Sequence, residues 1–208
     1  METKKDSTEA KILEAATNVF VTKGMEGARM QEIADEAGIN KALLHYYFRS
    51  KERLFEAIFS NVINMAFPQL TQILKSDVDF VTKMGQVIDA YISLLRKHPF
   101  IPVFVLKELN RDPSGLFKLA IKYGLNPLVI INQLQEAMDR GEIIRMDPRH
   151  LAMNIISMCV FPFAARPILN FLLFKNDPQA LDAFYAERAD IIKQFVINAI
   201  VIPHEAKV

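Results

Sequence analysis

Apolar residues recur three and four apart along almost the whole chain, and no alternating Val/Ile/Thr run is bounded by Asn-Gly or Asp-Gly. That contrast predicts an all-α fold and leaves no strand signal to build a sheet from. Ile12, Leu13, Ala16, Val19 and Phe20 mark one face of a first helix that opens at Ser7 or Thr8 and ends at Gly24. A short helix follows from about Met30 to Ala37, and Gly38 closes it. Asn40 caps the next, Lys41 to Tyr47, and Ser50 caps a long helix carrying Leu54, Phe55, Ile58, Phe59, Val62 and Ile63.

Beyond residue 60 the helices lengthen. Phe80, Met84, Val87, Ile88, Tyr91 and Leu95 define one that stops near Lys97, His98 and Pro99. Asp112-Pro113, Asp147-Pro148 and Asp177-Pro178 each read as an N-cap followed by proline at the first helical position. Pro127 starts another helix after Gly124-Leu125-Asn126, and Gly141 ends it. The last helix repeats Leu181, Phe184, Tyr185, Ile191, Ile192, Phe195, Val196, Ala199 and Ile200. The pattern predicts a small N-terminal three-helix unit, residues 1–50, joined to a larger helical bundle, residues 51–208.

Charge and cysteine content narrow the partners. The net charge is only +1, and the first sixty residues hold nine Lys/Arg against ten Asp/Glu, so a nucleic-acid footprint has to be a small patch. Such a patch exists at residues 41–53, where Lys41, Arg49, Lys51 and Arg53 face Glu52 alone. Cys159 is the single cysteine, which excludes an intramolecular disulfide and favours a reducing, cytoplasmic setting, with the thiol as a packing group. The polar start METKKDSTEAK is no secretory signal. The apolar segment 155–174 is interrupted by Pro162, Arg166, Pro167 and Asn170, and is expected as a helix buried on several sides rather than a membrane span.

The sequence GINKALLHYYFRSKERLF, residues 38–55, concentrates the chemistry. Its four consecutive rings admit a catalytic group, an aromatic core or a reading surface. Two short helices joined by Gly38-Ile39-Asn40 follow the helix-turn-helix plan, whose second helix fits a major groove. Lys41 is suited to guanine O6 and N7, and Asn40 to a base or phosphate as well as to capping. Backbone N–H groups at the helix starts near Arg29, Asn40 and Ser50 favour phosphate oxygens. At about 100° per residue, Leu44 and Phe48 share an inward face and Lys41 and His45 share another. His45 and Tyr47 are expected to reach DNA, and Tyr46 to be partly packed.

These residues resemble the DNA-binding domain of the tetracycline-repressor (TetR) family. The matching elements are Ile33-Ala34, Ala37-Gly38-Ile39, Tyr46-Tyr47-Phe48 and Lys51-Glu52-Arg53-Leu54, preceded by a helix with Phe20 and Lys23-Gly24. The similarity covers residues 8–60. It implies a DNA-binding regulator contacting duplex operator DNA through Arg29, Asn40, Lys41, Ala42, Leu43, His45, Tyr47 and Lys51. His45 stands where members often carry a phosphate-contacting Tyr, and Arg29 where they commonly place a Ser or Thr cap.

The resemblance further implies a palindromic operator and a bundle holding a small effector, expected to be apolar or aromatic because few charges fall in its middle helices. The last two helices (about 148–174 and 178–202) are apolar over more surface than one core requires and are expected to join a homodimer. Phe67, Tyr91, Phe104, Phe117 and Tyr123 are the candidate effector contacts. His98, His150 and His204 form no metal-ligand spacing, and no nucleophile motif or Gly-rich phosphate loop is present, so no metal, cofactor or enzymatic activity is expected. The competing reading is a small-molecule-binding or enzymatic helical protein whose N-terminal unit serves only assembly.

Overall fold

The computed structural model describes residues 4–111, 113–122 and 126–201. Eleven α-helices and no strand occur among them. They are α1 (Lys4–Gly27), α2 (Met30–Glu36), α3 (Lys41–Tyr47), α4 (Lys51–Lys75), α5 (Phe80–Lys97), α6 (Ile101–Arg111), α7 (Pro113–Lys122), α8 (Pro127–Asp139), α9 (Pro148–Ala164), α10 (Arg166–Leu172) and α11 (Pro178–Ile200). The first helix begins three residues before the expected Ser7. Its regular run breaks at Gly24, whose φ of 69° only glycine adopts without strain.

The chain divides into two compact units, Met1–Met65 and Ala66–Val208. That division falls inside α4 rather than at the expected 50/51 junction, because the first turns of α4 belong to the small core. Leu54, Phe55, Ile58 and Phe59 are buried there with Ile12, Ala16, Phe20, Ile33 and Leu44 of the first unit. Phe20 and Phe55 meet with ring centroids 5.3 Å apart.

In the second unit α5, α9 and α11 pack on one another, with α8 and α6 against α9. Ile88, Ile92 and Leu95 of α5 are buried with Ile155, Cys159 and Phe163 of α9 and Tyr185, Ile192 and Val196 of α11. The caps follow the sequence. Asp147 accepts from Arg149 N at 2.8 Å, Asp177 from Gln179 N at 2.9 Å, and Asn126 from Leu128 N at 3.0 Å. Asp112 lies outside the described residues.

Segment 155–174 departs from expectation in two respects. It is two helices bent by 70° at Ala165, not one, because Pro167 has no N–H to continue the ladder to Phe163. It is also not enclosed by its own chain, since α10 has no buried residue and Phe171 is 63% exposed. Pro162, one turn earlier, leaves α9 unbroken. Its missing N–H strands the Met158 carbonyl, and Arg188 Nη2 on α11 donates to that oxygen at 3.1 Å. Tyr185 OH donates to the Pro162 carbonyl at 2.8 Å, with the Tyr185 and Phe163 rings stacked at 4.4 Å. The helix thus continues through a proline while α11 satisfies the Met158 carbonyl that the backbone cannot, and the Pro162 carbonyl is held by the same helix. No single described helix is long and apolar enough to cross a membrane; α9 and α10 meet the length and composition only together, across their bend.

Candidate nucleic-acid interface

The interface is built outward from a glycine turn. At the end of α2, Gly38 takes φ 66°. Gly38 N then donates to Asp35 O at 3.1 Å and Ile39 N to Ala34 O at 3.0 Å, the paired bonds of a Schellman close. Two residues later Asn40 is extended and its Oδ1 accepts from Leu43 N at 2.7 Å, which starts α3. Capping therefore consumes the Asn40 carbonyl oxygen and leaves its amide N–H groups as the donors for a base or phosphate.

Burial then fixes the orientation of α3. Leu44 is fully buried and Phe48 nearly so, as the helical spacing predicts. Lys41, Ala42, His45 and Tyr46 are exposed, and Leu43 and Tyr47 are half-buried. The expectation for Tyr46 was wrong: it is 74% exposed, more so than Tyr47. The reason is geometric, since Tyr46 lies two residues or about 200° beyond the buried Leu44, on the far side of the helix. His45 is turned back toward its own chain, with Nδ1 3.3 Å from the Arg49 carbonyl.

Arg29 occupies the N-cap of α2 and makes no side-chain cap. Half of a capping box replaces it. Arg29 N donates to Glu32 Oε2 at 3.2 Å, and Lys23 Nζ reaches Glu32 Oε1 at 3.0 Å, tying α1 to α2. Those bonds, that of Lys23 first, hold the Glu32 carboxyl below its ordinary range. Ser50 accepts from Arg53 N at 3.3 Å and so caps α4 as expected. Lys51 also holds the fold together. Its Nζ donates to Ala28 O at 3.2 Å and Glu26 O at 3.4 Å, stitching the start of α4 to the turn after α1. Between Glu36 and Glu52 the chain carries Lys41, Arg49 and Lys51 and no acid, so the exposed side of this unit is locally positive.

The predicted effector residues are not gathered into one described site. Tyr91 on α5 is partly buried, and burial, with the neighbouring Cys159 adding, pushes its phenol up to about 12. Burial likewise pushes the Cys159 thiol up to about 12, against the opposing pull of Arg188, so it is a neutral packing group. Phe117 on α7 is 47% exposed. The side chains of Phe67 and Phe104 and all of Tyr123 lie outside the described residues. Two open clefts, of about 410 and 440 Å³, have polar linings and contain none of the five.

The last helices present a second apolar face beside the one that enters the core. Met153, Ile156 and Phe161 on α9, Ile168, Phe171 and Leu172 on α10, and Ile191 and Phe195 on α11 are all exposed, Phe195 to 65%.

Residues 12–58 match the model of the family described as bacterial regulatory proteins, tetR family. The HTH-type transcriptional repressor NicS of Pseudomonas putida is 30% identical over 173 residues, covering 81% of each chain. The nucleoid occlusion factor SlmA of Mannheimia succiniciproducens is 25% identical over 157 residues, covering 74% of this chain and 73% of that one. In fold, a linker-substituted form of HlyIIR superposes with a TM-score of 0.67 at 22% identity, over 95% of this chain and 98% of that one. With the glycine-closed turn and the exposed α3 face, these likenesses lead to one conclusion: the chain belongs to the tetR family of bacterial regulatory proteins and is a DNA-binding transcriptional regulator.

Proposed function

We propose that this regulator is an effector-responsive repressor acting in the cytoplasm as a homodimer on a palindromic operator. The observation that carries the DNA-reading part is the presentation of α3. Leu44 and Phe48 are buried, while Lys41, Ala42, His45 and Tyr46 are exposed in an acid-free stretch. In this reading residues 1–50 form the reading head, and Arg29, Asn40, Lys41, Ala42, Leu43, His45 and Tyr47 contact the duplex. Lys51 adds charge near phosphate while holding the turn at Ala28.

Pairing of two chains through the exposed apolar strip on α9, α10 and α11 supports the palindrome, because a two-fold dimer presents two heads to two half-sites. Each head then enters a major groove about 34–36 Å, or a multiple of it, from the other. The bundle of the second unit holds an apolar or aromatic effector near Tyr91, with Phe67, Phe104, Phe117 and Tyr123 as further contacts. The name of NicS supports repression as the sense of control. Because α4 contributes residues to both compact units, it is the element through which an effector preferring one head spacing weakens DNA binding.

Selection of bound sequences from a random duplex pool tests this reading. The expected outcome is enrichment of an inverted repeat whose half-site centres are one or two helical turns apart. Enrichment of no sequence, or of a single unrepeated half-site by a monomer, overturns it.

A further inference from the structure

The face of α3 opposite its buried side carries an exposed ring that takes no part in the core. Tyr46 and Ala42 stand four residues apart, so both project from the side of the helix turned away from Leu44. The Tyr47 ring holds Tyr46 edge-on, with centroids 5.6 Å apart and planes at 86°. His45 is directed toward the Arg49 carbonyl, and Ala42 is too small to obstruct approach. The outermost surface of the reading helix is therefore apolar, flanked by the exposed cations Lys41 and Arg49.

We propose that Tyr46, with Ala42 one turn before it, reads the 5-methyl group of a thymine in the major groove of each half-site. This inference rests on the operator-reading function proposed above. In the major groove only thymine presents a methyl group among the four bases, and its partners are apolar side chains such as Ala and aromatic rings. The flanking cations match the phosphate walls on either side of such a contact. Tyr46 therefore sets which base pair the head prefers, a role distinct from that of the polar donors Asn40 and Lys41.

The test uses the full-length protein and an inverted repeat selected from the random pool. Each thymine of the half-sites is replaced in turn by deoxyuracil, which removes the methyl group and nothing else. One symmetric position is expected to weaken wild-type binding by roughly fourfold per half-site, about fifteenfold when both are changed. Tyr46→Phe keeps that sensitivity, which separates the ring from its hydroxyl, while Tyr46→Ala, with only the Ala42 methyl left at the contact, loses most of it. Because Tyr46 is exposed, Tyr46→Ala is expected to melt with the wild type. Specific binding that ignores every thymine methyl, or equal methyl sensitivity in wild type and Tyr46→Ala, overturns the assignment while leaving operator reading intact. Failure to select any sequence removes both.

Discussion

The proline inside α9 offers the sharpest test of how α11 supports its neighbour. In an uninterrupted helix the N–H of residue 162 would bond the carbonyl of Met158; proline has none, and Arg188 Nη2 fills the vacancy at 3.1 Å. Replacing Arg188 with Met strands that carbonyl and costs about 1–2 kcal/mol, the lower part of the range for leaving a partly buried acceptor unsatisfied. For a chain of this size the loss lowers Tm by about 2–8 °C. Arg188 also lies over the Phe184 ring at 5.8 Å, so the single variant mixes two effects. A double-mutant cycle separates them. In a Pro162→Ala background the new N–H bonds Met158 directly, so Arg188→Met then loses only the ring contact. The expected coupling is about 1 kcal/mol, read by urea denaturation at one fixed protein concentration so that the contribution of dimer association is common to all four variants. If Arg188→Met costs the same in both backgrounds, the arginine is not replacing the missing helix bond and the reasoning fails.

Other perturbations follow from single contacts. Gly38→Ala meets no steric obstacle but forces φ 66° on an L residue, so it destabilises the N-terminal unit by about 1–2 kcal/mol in chemical denaturation. Lys51→Met frees the Ala28 and Glu26 carbonyls, so it is expected to lower stability by about 1 kcal/mol as well as DNA affinity; a purely electrostatic role leaves Tm unchanged. The Asp147 carboxyl is held down to about 2, chiefly by the Arg149 side chain. A depressed carboxylate stabilises the fold above its unfolded value of about 3.9 and loses that contribution as pH falls through about 2. NMR titration should therefore find its midpoint near 2, moving toward 3.8 in Arg149→Leu; an unmoved midpoint removes Arg149 as the cause.

Much of the fold is legible in the residues, and what escapes is set by distant contacts. Gly38, Asn40 and the Leu44–Phe48 spacing are local signals, and the helix-turn-helix follows from them. The exposure of Tyr46 is legible too, since its 200° offset from Leu44 is written in the numbering; its aromatic neighbours point misleadingly to packing. Lys51 is different. Its charge suggests phosphate, but its bonds reach carbonyls more than twenty residues back, which local spacing cannot reveal. The bend at Ala165 follows from Pro167, yet the survival of α9 past Pro162 depends on Tyr185 and Arg188, far along the chain. The apolar excess of the last helices is visible as composition, and the fold resolves it into one face in the core and one outside it.

The salt dependence of binding to the selected operator, compared between wild type and Lys41→Ala, tests the central claim most directly. The account predicts wild-type binding at least about a thousandfold tighter than to random duplex. Lys41→Ala should lose about 1–3 kcal/mol per half-site on the operator, while its binding to random duplex changes far less. Equal weak binding of both proteins to both duplexes, with one common salt slope, would show charge attraction alone and contradict a reading head built on α3.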